Sequence, residues 1–202
     1  MLDNYEYIDH DYIYTDPKTN VLRNLMNITD PESLLFFESA TVLKRAKELE
    51  TQPIYIHSSI ALLDIHRYLF QDVYSWAGQK RTVEISKKGE PFFLKEYFDK
   101  GFAYIDTLIV NYREVDPADK HKIAEHLANL LDNINYLHPF REGNGRTQRE
   151  FIRVLALEKG YTLNLNPPDN LDVFERYMSG TIEGDVQKLT ALILELLKNN
   201  EL

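Results

Sequence analysis

"HPFREGNGRTQRE", residues 138–150, gathers an imidazole, a carboxylate, an asparagine between two glycines and three guanidinium groups into one short stretch. Upstream, "ADKHKIAEHLANLLDNINYL" sets Ile123, Leu127, Leu130, Leu131, Ile134 and Leu137 at the spacing of one broad helical face. Pro139 stops that helix. Asn144 or Gly145 opens the next, "RTQREFIRVLALEKG", which Gly160 closes. The quoted stretch is therefore a loop between two long helices, and its second half is a helix N-terminus.

Working outward, the chain stays mostly helical. Pro31 at a first helical position, followed by "ESLLFFESATVLKRAKELE", predicts a helix to about residue 50, and Pro53 breaks the chain. "IHSSIALLDIHRYLFQDVYSWAG" carries apolar residues at 56, 60, 63, 65 and 69, which suits a buried helix ending near Trp76 to Gly78. "RTVEISKKGEPFFL" is β-branched, alternating and split by the turn signal "KKGEP", so it reads as a short hairpin. "KEYFDKGFAYIDTLIVNYREV" returns to helix, and two further helices follow around 169–179 and 184–199. Residues 1–30 read as irregular. The expected fold is all-α with one short β-hairpin. Residues 1–50 form an arm and first helix packed on a core domain of residues 51–202.

Composition narrows the function. At 202 residues, 44% hydrophobic and 27% charged, the chain has the make-up of an ordinary globular protein. A net charge of −9 argues against a general nucleic-acid binder, which needs a basic face, so any anion site must be local. The lack of cysteine excludes disulfides and thiolate metal centres and fits a reducing cytoplasm. The acidic, Tyr-rich start is unlike a secretory signal, and no apolar run approaches the length of a membrane span.

The loop supplies the local site. A helix start carries unpaired N–H groups and partial positive charge, and Gly143 and Gly145 have no side chains to block an approaching anion. Arg146, Arg149 and Arg153 follow as one stripe, and guanidinium forks bind phosphate oxygens in pairs. Glu142 offers the hard oxygen that Mg²⁺ prefers beside phosphate. His138 is suited to taking a proton from a hydroxyl near neutral pH. Together these parts describe phosphoryl or nucleotidyl transfer to a hydroxyl. Singly each has an ordinary reading, a common turn or a surface ion pair. Other phosphate motifs fail on spacing: a P-loop needs Lys where Arg146 stands, and the dinucleotide fingerprint needs Gly where Gln148 stands.

"HPFREGNGRTQR" resembles the Fic domain signature, His-x-Phe-x-Asp/Glu-Gly-Asn-Gly-Arg-x-x-Arg, at every fixed position. "IHRYLFQDVYSWAGQKR" with "ISKKG" is similar to the helix and flap that precede this motif. "YIYTDPKTNVLRNLMNI" looks like the arm of bacterial, toxin-like members. The resemblance implies transfer of AMP from ATP to a Ser, Thr or Tyr hydroxyl of a target protein. His138 would be the general base, Phe140 the anchor of the loop, and Glu142 the ligand of Mg²⁺ bridging the α- and β-phosphates. Gly143, Asn144 and Gly145 would form the anion hole, with Asn144 on the α-phosphate, and Arg146 and Arg149 would hold the β- and γ-phosphates. Arg153 lies outside the signature and reads as a surface residue.

The hairpin, with Ile85, Ser86, Lys87 and Lys88, would register an extended target segment by backbone pairing. A related branch that transfers phosphate carries Lys where Gly145 stands, so Gly145 favours AMP transfer over the kinase-like alternative. A catalytically silent target-binding module is the other alternative. Many Fic proteins are restrained by a helix bearing Ser/Thr-x-x-x-Glu-Gly/Asn, matched here by "SGTIEG" at Ser179 to Gly184. Two glycines make that segment a poor helix, more like the turn before the closing helix. The expectation is instead restraint in trans by a small antitoxin-like partner.

Overall fold

The computed structural model describes residues 5–7, 12–87 and 89–200, so Lys88 of the expected flap lies outside the described residues. Tyr5–Tyr7 forms β1. Helix α1, Pro31–Thr51, starts as its sequence demands, with Pro31 in the first turn and the Asp30 side chain accepting from the Ser33 N–H at 2.8 Å. Helix α2 is Ala61–Phe70, followed by strands β2, Ile85–Lys87, and β3, Glu90–Pro91. Then come α3, Phe98–Arg113; α4, Lys120–Leu137; and α5, Asn144–Glu158. The chain closes with β4, Tyr161–Thr162; α6, Leu171–Glu183; α7, Val186–Leu196; and β5, Lys198–Asn199. No described helix is long and apolar enough to cross a membrane.

Helix α4 is the axis of the core. Its Ile123, Ala124, Leu127, Ala128, Leu131 and Ile134 are fully buried, and α3, α5, α6 and α7 pack around it. That wide apolar face is why the loop after Leu137 is delivered to the middle of the molecule. Helix α2 packs on α5 and α1 on α2, so the first helix joins the bundle. Tyr14 and Val21, from the segment before α1, are also buried in the core.

Three expectations need correction. Helix α2 is shorter than its apolar pattern suggested: Ile56 lies before it, Ile60 is exposed, and the chain leaves the helix after Phe70. Val73, Tyr74, Trp76 and Ala77 stay buried although the chain turns there, so their apolar pattern extends past the end of the helix itself. The hairpin is the edge of a three-stranded sheet, because β1 pairs antiparallel with β2, Tyr7 opposite Ile85 and Tyr5 opposite Lys87. And Ser179 to Glu183 is helical, the last turn of α6, with Gly184 as its left-handed cap.

Candidate active site

His138 terminates α4 in a left-handed conformation, φ 43° and ψ 59°, that directs the following loop back across the helix. Its Nδ1 lies 3.0 Å from the Asn135 carbonyl. A carbonyl only accepts, so Nδ1 carries the proton and the lone pair sits on Nε2. The ring is buried and stacked under Phe92 of the hairpin, centroids 3.9 Å apart. The His138 imidazole and the hairpin thus meet face to face.

The loop is braced from inside. Phe140 is buried and stacks on His66 at 3.9 Å, as its expected anchoring role requires. Asn144 closes the turn: its Oδ1 accepts from the Phe140 N–H at 2.9 Å, and its Nδ2 donates to the Phe140 carbonyl at 2.8 Å. Its side chain is therefore a loop clasp that keeps its second Nδ2 N–H and its backbone N–H for other acceptors. Gly143, at φ 81°, caps α5 with no side-chain hydrogen bond. The first amides of α5 are thus left for an anion.

Two carboxylates and two arginines define the charge. Glu142 Oε1 accepts from the Gly143 N–H at 2.8 Å and lies 3.3 Å from Arg146 Nη2. Arg146 also meets Glu38 of α1 at 2.6 Å and covers the Phe70 ring at 4.7 Å. Burial alone would lower the Arg146 guanidinium, but the Glu38 and Glu142 carboxylates outweigh it and hold it firmly charged. Arg149 lies over the faces of Phe174 and Tyr177 of α6, at 5.5 and 5.2 Å, and no described carboxylate pairs with it. Arg153 is no loose surface residue: it pairs with Glu150 at 2.7 Å and donates to the Leu49 carbonyl at 2.9 Å, tying α5 to α1.

Mg²⁺ fits this donor set in one way only. No described group of three or more His, Cys, Asp or Glu side chains could hold a metal by itself. Glu142, one-third exposed, supplies a single carboxylate, so the other ligands would come from phosphate and water.

Sequence reasoning missed three residues here. Arg81 is buried and donates through Nε to the His138 carbonyl at 2.9 Å and through Nη1 to the Val83 carbonyl at 2.7 Å. Its Nη2 reaches the Phe93 carbonyl at 2.5 Å. One guanidinium thereby fastens both roots of the hairpin to the backbone of His138. His66 accepts from the Gly78 N–H at Nδ1, 2.8 Å, and its Nε2 donates to the Glu142 carbonyl at 3.0 Å. Burial pushes its pKa down to about 3, so it is a neutral strut. Glu38 gave no local signal, since it lies about a hundred residues from the motif.

Of the expected hairpin contacts, Ile85 and Ser86 lie in the central strand β2, paired with β1 on one side and β3 on the other. An incoming segment would have to pair with an outer edge. The "SGTIEG" match points elsewhere than the motif: Glu183 accepts from Ser179 Oγ at 2.6 Å and Lys188 Nζ at 2.5 Å.

A glycine-capped helix start with two arginines on its first turns, beside a buried imidazole, forms a candidate anion-binding site. Residues 55–156 match the Fic/DOC family, to which the chain belongs. It is 37% identical over 152 residues to the protein adenylyltransferase VbhT of Bartonella schoenbuchensis, covering 75% of this chain but only 32% of that protein. With "Probable protein adenylyltransferase y4lH" of Sinorhizobium fredii it shares 36% identity, covering 82% of this chain and 88% of the relative. Its fold is also that of the BepC protein of Bartonella tribocorum, solved with bound AMPPNP, at TM-score 0.81 and 23% identity, with 93% of this chain and 97% of that one covered.

Proposed function

We propose that this chain is a protein adenylyltransferase that moves AMP from ATP to a Ser, Thr or Tyr hydroxyl of a target protein. Relatives named for that activity support the reading. The observation that carries it is the Asn135 carbonyl on His138 Nδ1, which fixes the tautomer that can accept a hydroxyl proton at Nε2. The hydroxyl oxygen bonds to the α-phosphorus as its proton passes to Nε2, the α–β bridging bond breaks, and diphosphate leaves. The amides of Asn144 and Gly145 and the guanidiniums of Arg146 and Arg149 hold the phosphates, the Gly143 amide being taken by Glu142 and its missing side chain leaving room for their approach. Glu142 would ligate Mg²⁺, which when bound neutralises phosphate charge. A target segment would pair along the outer edge of the hairpin, beside Phe92.

Restraint would come in trans from a small antitoxin-like protein. Glu183 is committed to Ser179 and Lys188, and among the described residues no carboxylate occupies Arg149. The setting would be the cytoplasm, where ATP is available.

The test is incubation with Mg²⁺ and a cell lysate, using ATP labelled at either the α- or the γ-phosphate. Label enters protein from the α-position only, and His138→Ala lowers the rate by about a hundredfold or more. Transfer from the γ-position would assign the kinase-like alternative. ATP binding without transfer to any lysate protein would leave a target-binding module.

A further inference from the structure

Arg146 is a motif arginine paired with a carboxylate from outside the residues matched to the family. Glu38 sits in the middle of α1, buried, with its Oε1 2.6 Å from Arg146 Nη2. Its other oxygen accepts from the hydroxyl of Tyr74, itself buried and stacked on Trp76 at 4.3 Å. The Tyr74 hydroxyl is pushed well above its ordinary range by burial and by the Glu38 carboxylate, so it remains a donor. Glu38 is therefore held rigidly and cannot follow Arg146 if the arginine swings.

The guanidinium is constrained on three sides. Phe70 lies under its face, and Glu38 and Glu142 both approach the same nitrogen, Nη2. Among the described residues no hydrogen bond uses Nε or Nη1. The Nε–H points to the side of Nη2, so with Nη2 taken no paired fork remains, and the Nη1 N–H groups are the donors most open to an anion. A free arginine side chain would lose rotamer entropy on fixing; here it is fixed before any ligand arrives.

We infer that Glu38 is a positioning residue of the nucleotide site: from α1 it holds Arg146 by Nη2, with Nη1 presented to the phosphate beyond the α-phosphate. The inference rests on the adenylyltransferase reading, which gives Arg146 to the β-phosphate. Glu38 acts on that contact alone, so it discriminates between nucleotides by phosphate number. The opposite role, a carboxylate competing with phosphate for Arg146, predicts the opposite sign.

The experiment is calorimetric titration of the full chain with ADP and with AMP, each with Mg²⁺, comparing the unaltered protein with Glu38→Gln and Glu38→Asp. Melting curves identify any variant that fails to fold. The unaltered protein binds ADP more tightly than AMP. Glu38→Gln weakens ADP by about tenfold and leaves AMP unchanged, because one charge-assisted contact is lost at one phosphate. Glu38→Asp, with its carboxylate drawn back from Arg146, weakens ADP in the same direction. Tighter ADP binding by the variants would make Glu38 a competitor and overturn the inference. Equal loss for ADP and AMP would make its role structural and overturn it too. Equal affinity of the unaltered protein for the two nucleotides would instead remove Arg146 from the β-phosphate, and the inference with it.

Discussion

At Gly143 the backbone has φ 81°, and a Cβ there would lie 2.3 Å from Phe70 Cζ. Phe70 is fully buried and stacked on His66 at 4.6 Å, so the ring has nowhere to retreat. Gly143→Ala is therefore expected to destabilise by about 2–3 kcal/mol through combined strain and overpacking, read as a lowered melting temperature. It also moves the amides that face an anion, so nucleotide affinity falls with it. An unchanged melting point would mean that the turn is far more plastic than its packing indicates. Gly145 is different: a Cβ would meet Arg149 Nη1 at 3.3 Å, the far end of a flexible side chain. At this scale much was legible in the sequence. Residue types name chemistries, and the spacing of His138, Glu142, Arg146 and Arg149 around a glycine turn names a phosphate site. What spacing cannot say is which groups a side chain touches. Asn144 was expected on the α-phosphate, yet both ends of its amide hold the Phe140 backbone.

Gly180 shows how an element can be misread one residue at a time. Glycine is the weakest ordinary helix former, so "SGTIEG" reads as a turn. In the folded chain it is the end of α6, because a Cβ at Gly180 would lie 2.6 Å from Leu189 Cδ2 and hold α7 away. Packing between helices outweighs the propensity of one position. Gly180→Ala gains about 1 kcal/mol of helix propensity but forces a clash costing about 1–3 kcal/mol. The expected outcome is a net loss of stability in thermal or denaturant melting; a gain would show that α7 can shift freely. The same logic covers the other elements. Helix α4 was legible because many apolar positions vote together, and α1 and α5 because Pro31 and Gly160 mark an end of each. Helix α2 was overextended, because buried apolar residues continue at helical spacing into the turns that follow it. The pairing of β1 with β2 was invisible, since nothing within Tyr5–Tyr7 specifies a partner about eighty residues away.

For the whole molecule, His66 links pH to stability. Its imidazole is fully buried between Phe70 and Phe140, bonded at both nitrogens, with a pKa lowered to about 3 chiefly by desolvation. The unfolded chain takes up this proton near pH 6.5, the folded chain only near 3. Between those values the unfolded state binds more protons, so stability is complete above pH 6.5 and falls as pH falls through the window. The His66 contribution at pH 5 is about 2 kcal/mol below its value at pH 8. Denaturant melts across that range check it, and His66→Asn should flatten the slope between pH 7 and 5.5. A slope unchanged in the variant would assign the effect to other groups. His66 was read from sequence only as part of a buried helix. The sequence by itself determined the helical class, the position of the motif between two helices, and the chemistry of His138, Glu142, Arg146 and Arg149, because those depend on periodicity and on neighbours within a few turns. Only the tertiary structure decided that Arg81 fastens the hairpin to the backbone of His138, that His66 braces the turn, and that Glu38 comes from α1 to Arg146. Those contacts join residues far apart along the chain, and only the burial of a common core brings them within a hydrogen bond of one another.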